Sequence, residues 1–385
     1  MKIAFLTPEY PHPKVSSSAG IGTSVKNLVE ALVEKGIQVT IFVYHQNTSA
    51  VFEENGVVFH IVPKKKFKIG TWYFYRKFLQ NYINATVSKE NIDILEAPDW
   101  TGITVFMKFK IPLVIRFHGT DAYFCKLENR KQKFKNFVFE KVALKKAVAF
   151  ISPTNFTKQQ TATLFSLNES KISVIPNGVD LDYFNNGNPH SFEEKTLLYI
   201  GTLIRKKGVL ELAKIFNAVI EEEPDAKLVL IGSDSFDIKT GSNSTYKLML
   251  EAFSDAAKAN TRYLRKIPYS QIKNHIKNAH VCAFPSFAET FGMVTVESMA
   301  LQKPVVNTNI GWANEIIDDG INGYLIHPTE TKVYAEQIVH LFKDKSLCLN
   351  IGKSAKQKVE STFDIKNIAI ENINFYKAVI SESKA

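Results

Sequence analysis

Strand-like and helix-like segments alternate along nearly the whole chain, and the series runs twice, once on each side of a single polar break. Residues 3–7 read as a first buried strand. Residues 23–35 read as a helix that carries Val25, Leu28, Val29, Leu32 and Val33 on one face and stops at Gly36. Strand patterns follow at 38–44, 57–62, 93–96, 113–118 and 148–152. The text then turns to I-P-N-G-V-D-L-D over 175–182 and to a polar run over 185–194, a density of Asn, Gly and Pro that marks a linker. Beyond it, strand patterns stand at 196–201, 227–232, 262–267, 280–285, 305–308 and 324–327, with helical spacing between them. Two successive parallel units of this kind predict an α/β fold with two Rossmann-like domains facing a cleft. The expected divisions are 1–183, 184–362 and a terminal helical stretch, 363–385, with apolar positions at Ile368, Ile370, Ile373, Phe375 and Tyr376.

At 385 residues the chain has the length for two domains of ordinary size. Its 45% apolar and 22% charged residues describe a soluble globular chain. No run of eighteen apolar residues occurs, so no transmembrane helix is expected. The opening M-K-I-A-F-L-T-P-E-Y-P-H-P has too short an apolar part, and no cleavage pattern, for a signal peptide. Cys125, Cys282 and Cys348 are scattered and odd in number, which fits reduced thiols in a cytoplasm and not a metal site.

A net charge of +10 points to an anionic partner. The excess concentrates in two stretches. One holds Lys64, Lys65, Lys66 and Lys68, followed by Trp72, Tyr73, Phe74, Tyr75, Arg76 and Lys77. The other holds Lys126, Arg130, Lys131, Lys133, Lys135, Lys141, Lys145 and Lys146, interleaved with Phe134, Phe137 and Phe139. Basic residues with interleaved aromatics suit an anionic membrane surface, and they equally describe two solvated helices whose aromatics face the core. No nucleic-acid motif accompanies the charge, so nucleic acid is not an expected partner.

Residues 284–306 read F-P-S-F-A-E-T-F-G-M-V-T-V-E-S-M-A-L-Q-K-P-V-V. Residues 280–285 form a short apolar strand, and 293–301 have helical spacing, so the turn at Gly292 opens a helix. The first amides of a helix have no intrahelical partner and carry partial positive charge, which makes this position suited to a phosphate or diphosphate. Glu297 lies about one turn (~5.4 Å) along from Met293 on the same face, leaning back toward that terminus. Glu289 precedes the turn on the cleft side. Arg205 and Lys207 belong to the basic loop of T-L-L-Y-I-G-T-L-I-R-K-K-G (196–208), just beyond a strand's carboxyl end, where positive charge can stabilise a departing nucleoside diphosphate.

The E-x7-E pair Glu289 and Glu297, with its flanking strand, Gly292 and K-P-V-V, resembles the signature of the retaining glycosyltransferases of family 4, which have the GT-B fold. Further family landmarks follow in order over nearly the whole chain. The resemblance implies a donor sugar contacted by Glu289 and a nucleotide ribose held by Glu297. It also implies a diphosphate met by Lys207 and by the turn of Phe291, Gly292 and Met293. The 201–208 segment matches G-x-L-x-x-x-K-G, but Thr202 stands where many members carry Arg, so Arg205 is the candidate to replace it. S-S-S-A-G-I-G-T (16–23) looks like the family's G-G-I-G turn with Ala19 for one Gly, which places Gly20 and Gly22 near the donor phosphate. It lacks the third small residue of a dinucleotide-binding loop, since Val25 stands there, and a plain tight turn is the competing reading.

By the same resemblance His118, at the end of L-V-I-R-F-H, contacts the donor sugar near the reacting carbon. E-A-P-D-W (96–100) ends another strand of the first domain, making Glu96 and Asp99 candidates for the acceptor side; Asp99 alternatively caps the next helix. The resemblance assigns 1–183 to the acceptor and 184–362 to the nucleotide sugar, and has the last helix cross back onto the first domain. The implied reaction moves a hexose from a UDP- or GDP-sugar to a hydroxyl of a glycan or lipid-linked glycan, in cell-surface polysaccharide or glycolipid synthesis. No cofactor and no metal are implied; the D-L-D of Asp180 and Asp182 lies in the linker. A cytoplasmic protein is expected, with peripheral attachment to the inner face of the cell membrane if the basic face binds lipid. A sugar-nucleotide epimerase of the same fold and a non-catalytic membrane-surface scaffold are the alternatives.

Overall fold

The structure, a computed structural model, describes residues 1–384. Among these the chain forms two compact units: Met1–Gly178 together with the stretch from Ile365 onward, and Val179–Asp364.

In the first unit β1 (Lys2–Thr7), β2 (Gln38–Gln46), β3 (Ala50–Glu54), β4 (Val57–Pro63), β5 (Ile94–Pro98), β6 (Leu113–Arg116), β7 (Ala149–Ser152) and β8 (Ile172–Val174) form one sheet. Its order is β3-β4-β2-β1-β5-β6-β7-β8. Helices α1 (Gly20–Glu34), α2 (Thr71–Glu90), α3 (Asp121–Leu127), α4 (Phe134–Leu144) and α5 (Asn155–Phe165) fill the connections. Ile3 to Leu6 of β1 are all buried, as a parallel strand covered on both faces must be. Only β3 runs antiparallel, paired with β4. The strand patterns read from sequence do not include β3, although its signal is present. Asn55 and Gly56, at φ 50° and 75°, make a two-residue turn of the kind that joins hairpin strands. Nor do they include β8; three residues are too few to show a period.

The second unit has β9 (Thr196–Ile200), β10 (Lys227–Ile231), β11 (Thr261–Tyr263), β12 (Val281–Phe284), β13 (Val305–Asn307) and β14 (Tyr324–Leu325) in a parallel sheet of order β11-β10-β9-β12-β13-β14. Its helices are α6 (Val209–Glu222), α7 (Thr245–Ala252), α8 (Asp255–Ala259), α9 (Tyr269–Asn278), α10 (Met293–Ala300), α11 (Thr331–Lys343) and α12 (Lys345–Thr362). From β9 the chain winds outward through β10 and β11, then returns to start the other half at β12. That reversal leaves a crevice beyond the carboxyl ends of β9 and β12, the place where open α/β sheets bind ligands.

The last helix, α13 (Ile365–Glu382), belongs to the first unit. Its Ile368, Ala369, Ile373, Tyr376 and Val379 share a core with Val25, Leu28, Val29 and Leu32 of α1. The chain leaves and rejoins this unit side by side. A Cβ on Gly178 would stand 2.6 Å from Ile365 Cδ1, so only glycine permits the approach.

Candidate functional site

An open crevice lies at the β9/β12 reversal. It is bounded by Ile200 and Phe284 at the strand ends, by Lys207 and Glu289 facing one another, and by Gly292 and Thr295 at the start of α10.

Local backbone chemistry puts Lys207 there. The basic loop forms one 3-10 turn, Arg205–Lys207, and Gly208 then turns into α6 at φ 67°. A Cβ on Gly208 would collide with the carbonyl oxygen of Pro285, so the left-handed turn and the close approach both require glycine. The Lys206 carbonyl accepts from the amides of Phe287 (2.8 Å) and Ala288 (3.3 Å), which ties the loop to the segment after β12. Lys207 Nζ consequently meets Glu289 Oε1 as an ion pair. Burial, and secondarily the charge of Lys206, lowers the Lys207 ammonium to about 7. Glu289, at its tip, is the countercharge that favours keeping the proton.

Arg205 faces elsewhere. Its Nε and Nη2 donate to both oxygens of Asp237, at 2.9 and 2.8 Å, and Asp237 also accepts from the amide and hydroxyl of Thr240. Asp237 is 2% exposed and its carboxyl lies well below the usual range, chiefly through the Arg205 hydrogen bonds. The guanidinium fork is therefore committed to the loop after β10, and Lys207 alone of the expected cations lines the crevice. Asp237 stands in a loop without a motif, so spacing offered no signal for it.

Gly292, at φ 96°, precedes α10, and no side chain caps that helix. Its first-turn amides thus meet the crevice that Gly292, Val294 and Thr295 line. Thr295 Oγ1 accepts from Asn307 Nδ2 at 2.9 Å, fastening the helix start to the end of β13. The Phe291 side chain is 2% exposed and packs on Phe363 at 5.5 Å, so only its backbone remains for a ligand. Met293 is half-buried against the core of the unit.

Glu297 is 1% exposed, and its Oε1 accepts from the hydroxyl of Tyr269, the first residue of α9, at 2.5 Å. Burial raises its carboxyl from 4.5 to about 7, with the Tyr269 hydrogen bond opposing. The fold therefore prefers Glu297 protonated. Below 4.5 the folded and unfolded chains both hold that proton; between 4.5 and about 7 only the fold does, so stability falls as pH rises through this window. A glutamine at this position would be neutral throughout. The melting temperature of Glu297→Gln relative to wild type should thus rise between about pH 4.5 and pH 7.5, by a difference worth about 3 kcal/mol. A gap that stays constant with pH, in calorimetry without ligand, would contradict a buried titrating carboxyl.

The candidate residues of the first unit sit in buried networks. Glu96 does not project outward toward an acceptor. Its carboxylate accepts from Arg116 Nε (2.7 Å) and Nη2 (3.0 Å) and from Tyr376 Oη of α13 (2.5 Å), and it is 3% exposed. Asp99 neither caps the following turn nor meets solvent. Its oxygens accept from the amides of His118 (2.9 Å) and Gly119 (3.2 Å), so it shapes the loop carrying His118. Burial raises Asp99 to about 7 against those hydrogen bonds. His118 lies two residues beyond the end of β6 and is half-buried. Burial, then the Arg116 charge, lowers its imidazole to about 3, which leaves it neutral at pH 7. Gly20 and Gly22 are inside α1, not before it, because the helix starts three residues earlier than its apolar period. A Cβ on Gly22 would lie 2.9 Å from the Glu9 carbonyl oxygen, and its amide donates to Glu9 Oε1 at 2.9 Å. Gly22 thus serves the packing of helix on loop; Gly20 has open space around it.

In the linker, Asp180 Oδ1 accepts from the amides of Asp182 and Tyr183, a local turn. Among the described residues no group of three His, Cys, Asp or Glu side chains is placed to hold a metal ion.

Two family models divide the chain: Glycosyltransferase Family 4 matches residues 18–183 and Glycosyl transferases group 1 matches 184–358. An uncharacterized glycosyltransferase of Methanocaldococcus jannaschii is 25% identical over 394 residues, spanning 98% of this chain and 98% of that protein. The capsular polysaccharide biosynthesis glycosyltransferase CapM of Staphylococcus aureus is 27% identical over 274 residues, 65% of this chain and 68% of its own length. Among solved structures, HepE of Anabaena in complex with UDP-glucose aligns at a TM-score of 0.74 with 17% identity, covering 98% of this chain and 100% of that one. The fold they share is GT-B.

Proposed function

Since the chain belongs to the glycosyltransferases of family 4, we propose that it transfers a hexose from a nucleoside diphosphate to an acceptor hydroxyl, retaining the anomeric configuration and using no metal ion. One observation carries this reading: Lys207, Glu289 and the uncapped start of α10 surround a single crevice at the β9/β12 reversal. Breaking a glycosyl–phosphate bond leaves negative charge on the diphosphate, and a lysine plus helix amides aimed at that charge lower the barrier. In this reading the phosphate takes over Lys207 from Glu289, and the carboxylate is released toward hydroxyls of the sugar. Glu297 holds the ribose, positioned by Tyr269. His118, neutral at pH 7, offers a hydrogen bond to the sugar and not a charge.

The acceptor oxygen bonds to the anomeric carbon on the face from which the phosphate oxygen departs, and the acceptor's proton passes to that oxygen. A UDP-sugar is the donor favoured by the likeness to a structure that holds UDP-glucose, and a cell-surface polysaccharide is the product class favoured by the capsular relative.

Incubation with UDP-, GDP- and ADP-sugars in the presence of EDTA tests the proposal. Slow release of one nucleoside diphosphate, and an acceptor product of retained configuration by NMR, are expected. Glu289→Gln should lower kcat/KM about 10–100-fold, the loss of one charged hydrogen bond at the reacting sugar. An epimerase would instead interconvert the sugar nucleotide with no acceptor. Absence of diphosphate release with every donor, or an inverted product, would refute the proposal.

A further inference from the structure

The two basic stretches, far apart in sequence, come together on one face of the first unit. Trp72, at the start of α2, packs against Phe139 of α4 with ring centroids 5.3 Å apart, and Lys135 Nζ lies 5.1 Å from the Trp72 ring. Large apolar side chains stand out from this face: Ile69 is 82% exposed, Phe134 81%, Phe74 46% and Trp72 44%. Around them Lys64, Lys65, Lys66 and Lys68 on one side and Lys131, Lys133 and Lys135 on the other are exposed. No acidic residue occurs between Glu54 and Glu90 or between Glu128 and Glu140. Glu140 is itself buried, capping the amides of Asp121 and Ala122.

We propose that this face docks on an anionic lipid bilayer, with Ile69, Trp72, Phe74 and Phe134 entering the headgroup layer and the lysines meeting lipid phosphates. The combination selects the occupant. A dissolved polyanion would be gripped by lysines alone and leaves protruding Ile69 and Phe134 without a role. A second copy using the same face would bring lysine against lysine. A bilayer with acidic headgroups accepts both features, since apolar side chains enter its boundary while cations stay at the surface. The inference stands independently of the transferase reading, because it concerns binding alone.

Flotation of the full chain with phosphatidylcholine vesicles, with and without phosphatidylglycerol, tests it. Binding is expected only with phosphatidylglycerol, together with a blue shift of tryptophan emission, and it should weaken with salt. Replacing Lys64, Lys65, Lys66 and Lys68 by Gln should reduce the partition coefficient about fivefold per lysine, several-hundred-fold in all. Ile69→Ser and Phe134→Ser should each reduce it about tenfold. All these side chains are exposed, so unchanged circular dichroism and melting temperature serve as the folding control. Equal binding to neutral vesicles, binding unaffected by Ile69→Ser and Phe134→Ser, equally tight retention on inorganic polyphosphate, or self-association without lipid would each overturn the proposal.

Discussion

Lys207→Ala is expected to lower kcat about 10²–10³-fold with a sugar nucleotide, while the melting temperature moves by only a few degrees. The rate loss follows from removing the cation that lines the crevice where charge develops on the leaving diphosphate; a single preorganised group of this kind is worth about 10²–10³ in kcat. The small stability change follows because the Glu289 carboxylate left behind keeps contact with water, its side chain being 19% exposed, and is not stranded as a fully buried charge would be. Lys207→Arg keeps the charge but presents a longer planar fork against the same crevice, and should recover only part of the rate. Steady-state kinetics with the preferred donor decides the matter: a Lys207→Ala enzyme within threefold of wild type would remove the lysine from the reaction.

Arg116→Met should produce the largest loss of stability. Arg116 is 3% exposed; it donates to both oxygens of Glu96 and, at 2.6 Å, to Asn372 Oδ1, while Tyr376 donates to the same Glu96. Removing the guanidinium strands a buried carboxylate, which typically costs about 3–5 kcal/mol. For a unit of this size that lowers the melting temperature by roughly 6–20 °C. Because Asn372 and Tyr376 belong to α13, the first-unit transition should carry the loss and the second unit's should not. The double variant Arg116→Met with Glu96→Leu should be more stable than Arg116→Met alone, since no charge is left without a partner. Calorimetry of the single variant showing a shift below about 2 °C would mean that the network holds little.

This network shows why Glu96 misleads in sequence. An acid at the end of a parallel strand is the mark of a site residue, and E-A-P-D-W has that mark. Nothing in its immediate neighbourhood says that Arg116 of the adjacent strand and Tyr376 of the last helix will take both of its oxygens. Asp99 repeats the lesson, because its partners are the backbone amides of His118 and Gly119.

The β3–β4 hairpin is the opposite case. Asn55-Gly56 is a local signal that two strands will pair, although the short, largely exposed Ala50–Glu54 carries no continuous apolar run.

What the chain's text alone determined is whatever depends on near neighbours. Continuous apolar runs made the parallel strands legible, and Gly292 ahead of a helical period made an anion-ready helix start legible. The E-x7-E spacing placed two acids around that start, one at the crevice and one in the helix. Tertiary structure alone decided which charges meet. It paired Lys207 with Glu289, drew Arg205 away to Asp237, enclosed Glu297 with Tyr269 and brought α2 and α4 to one lysine-rich face. The physical reason is range: strand and helix formation follow from a few adjacent residues, whereas the state of a charge depends on burial and on partners that folding brings from far along the chain.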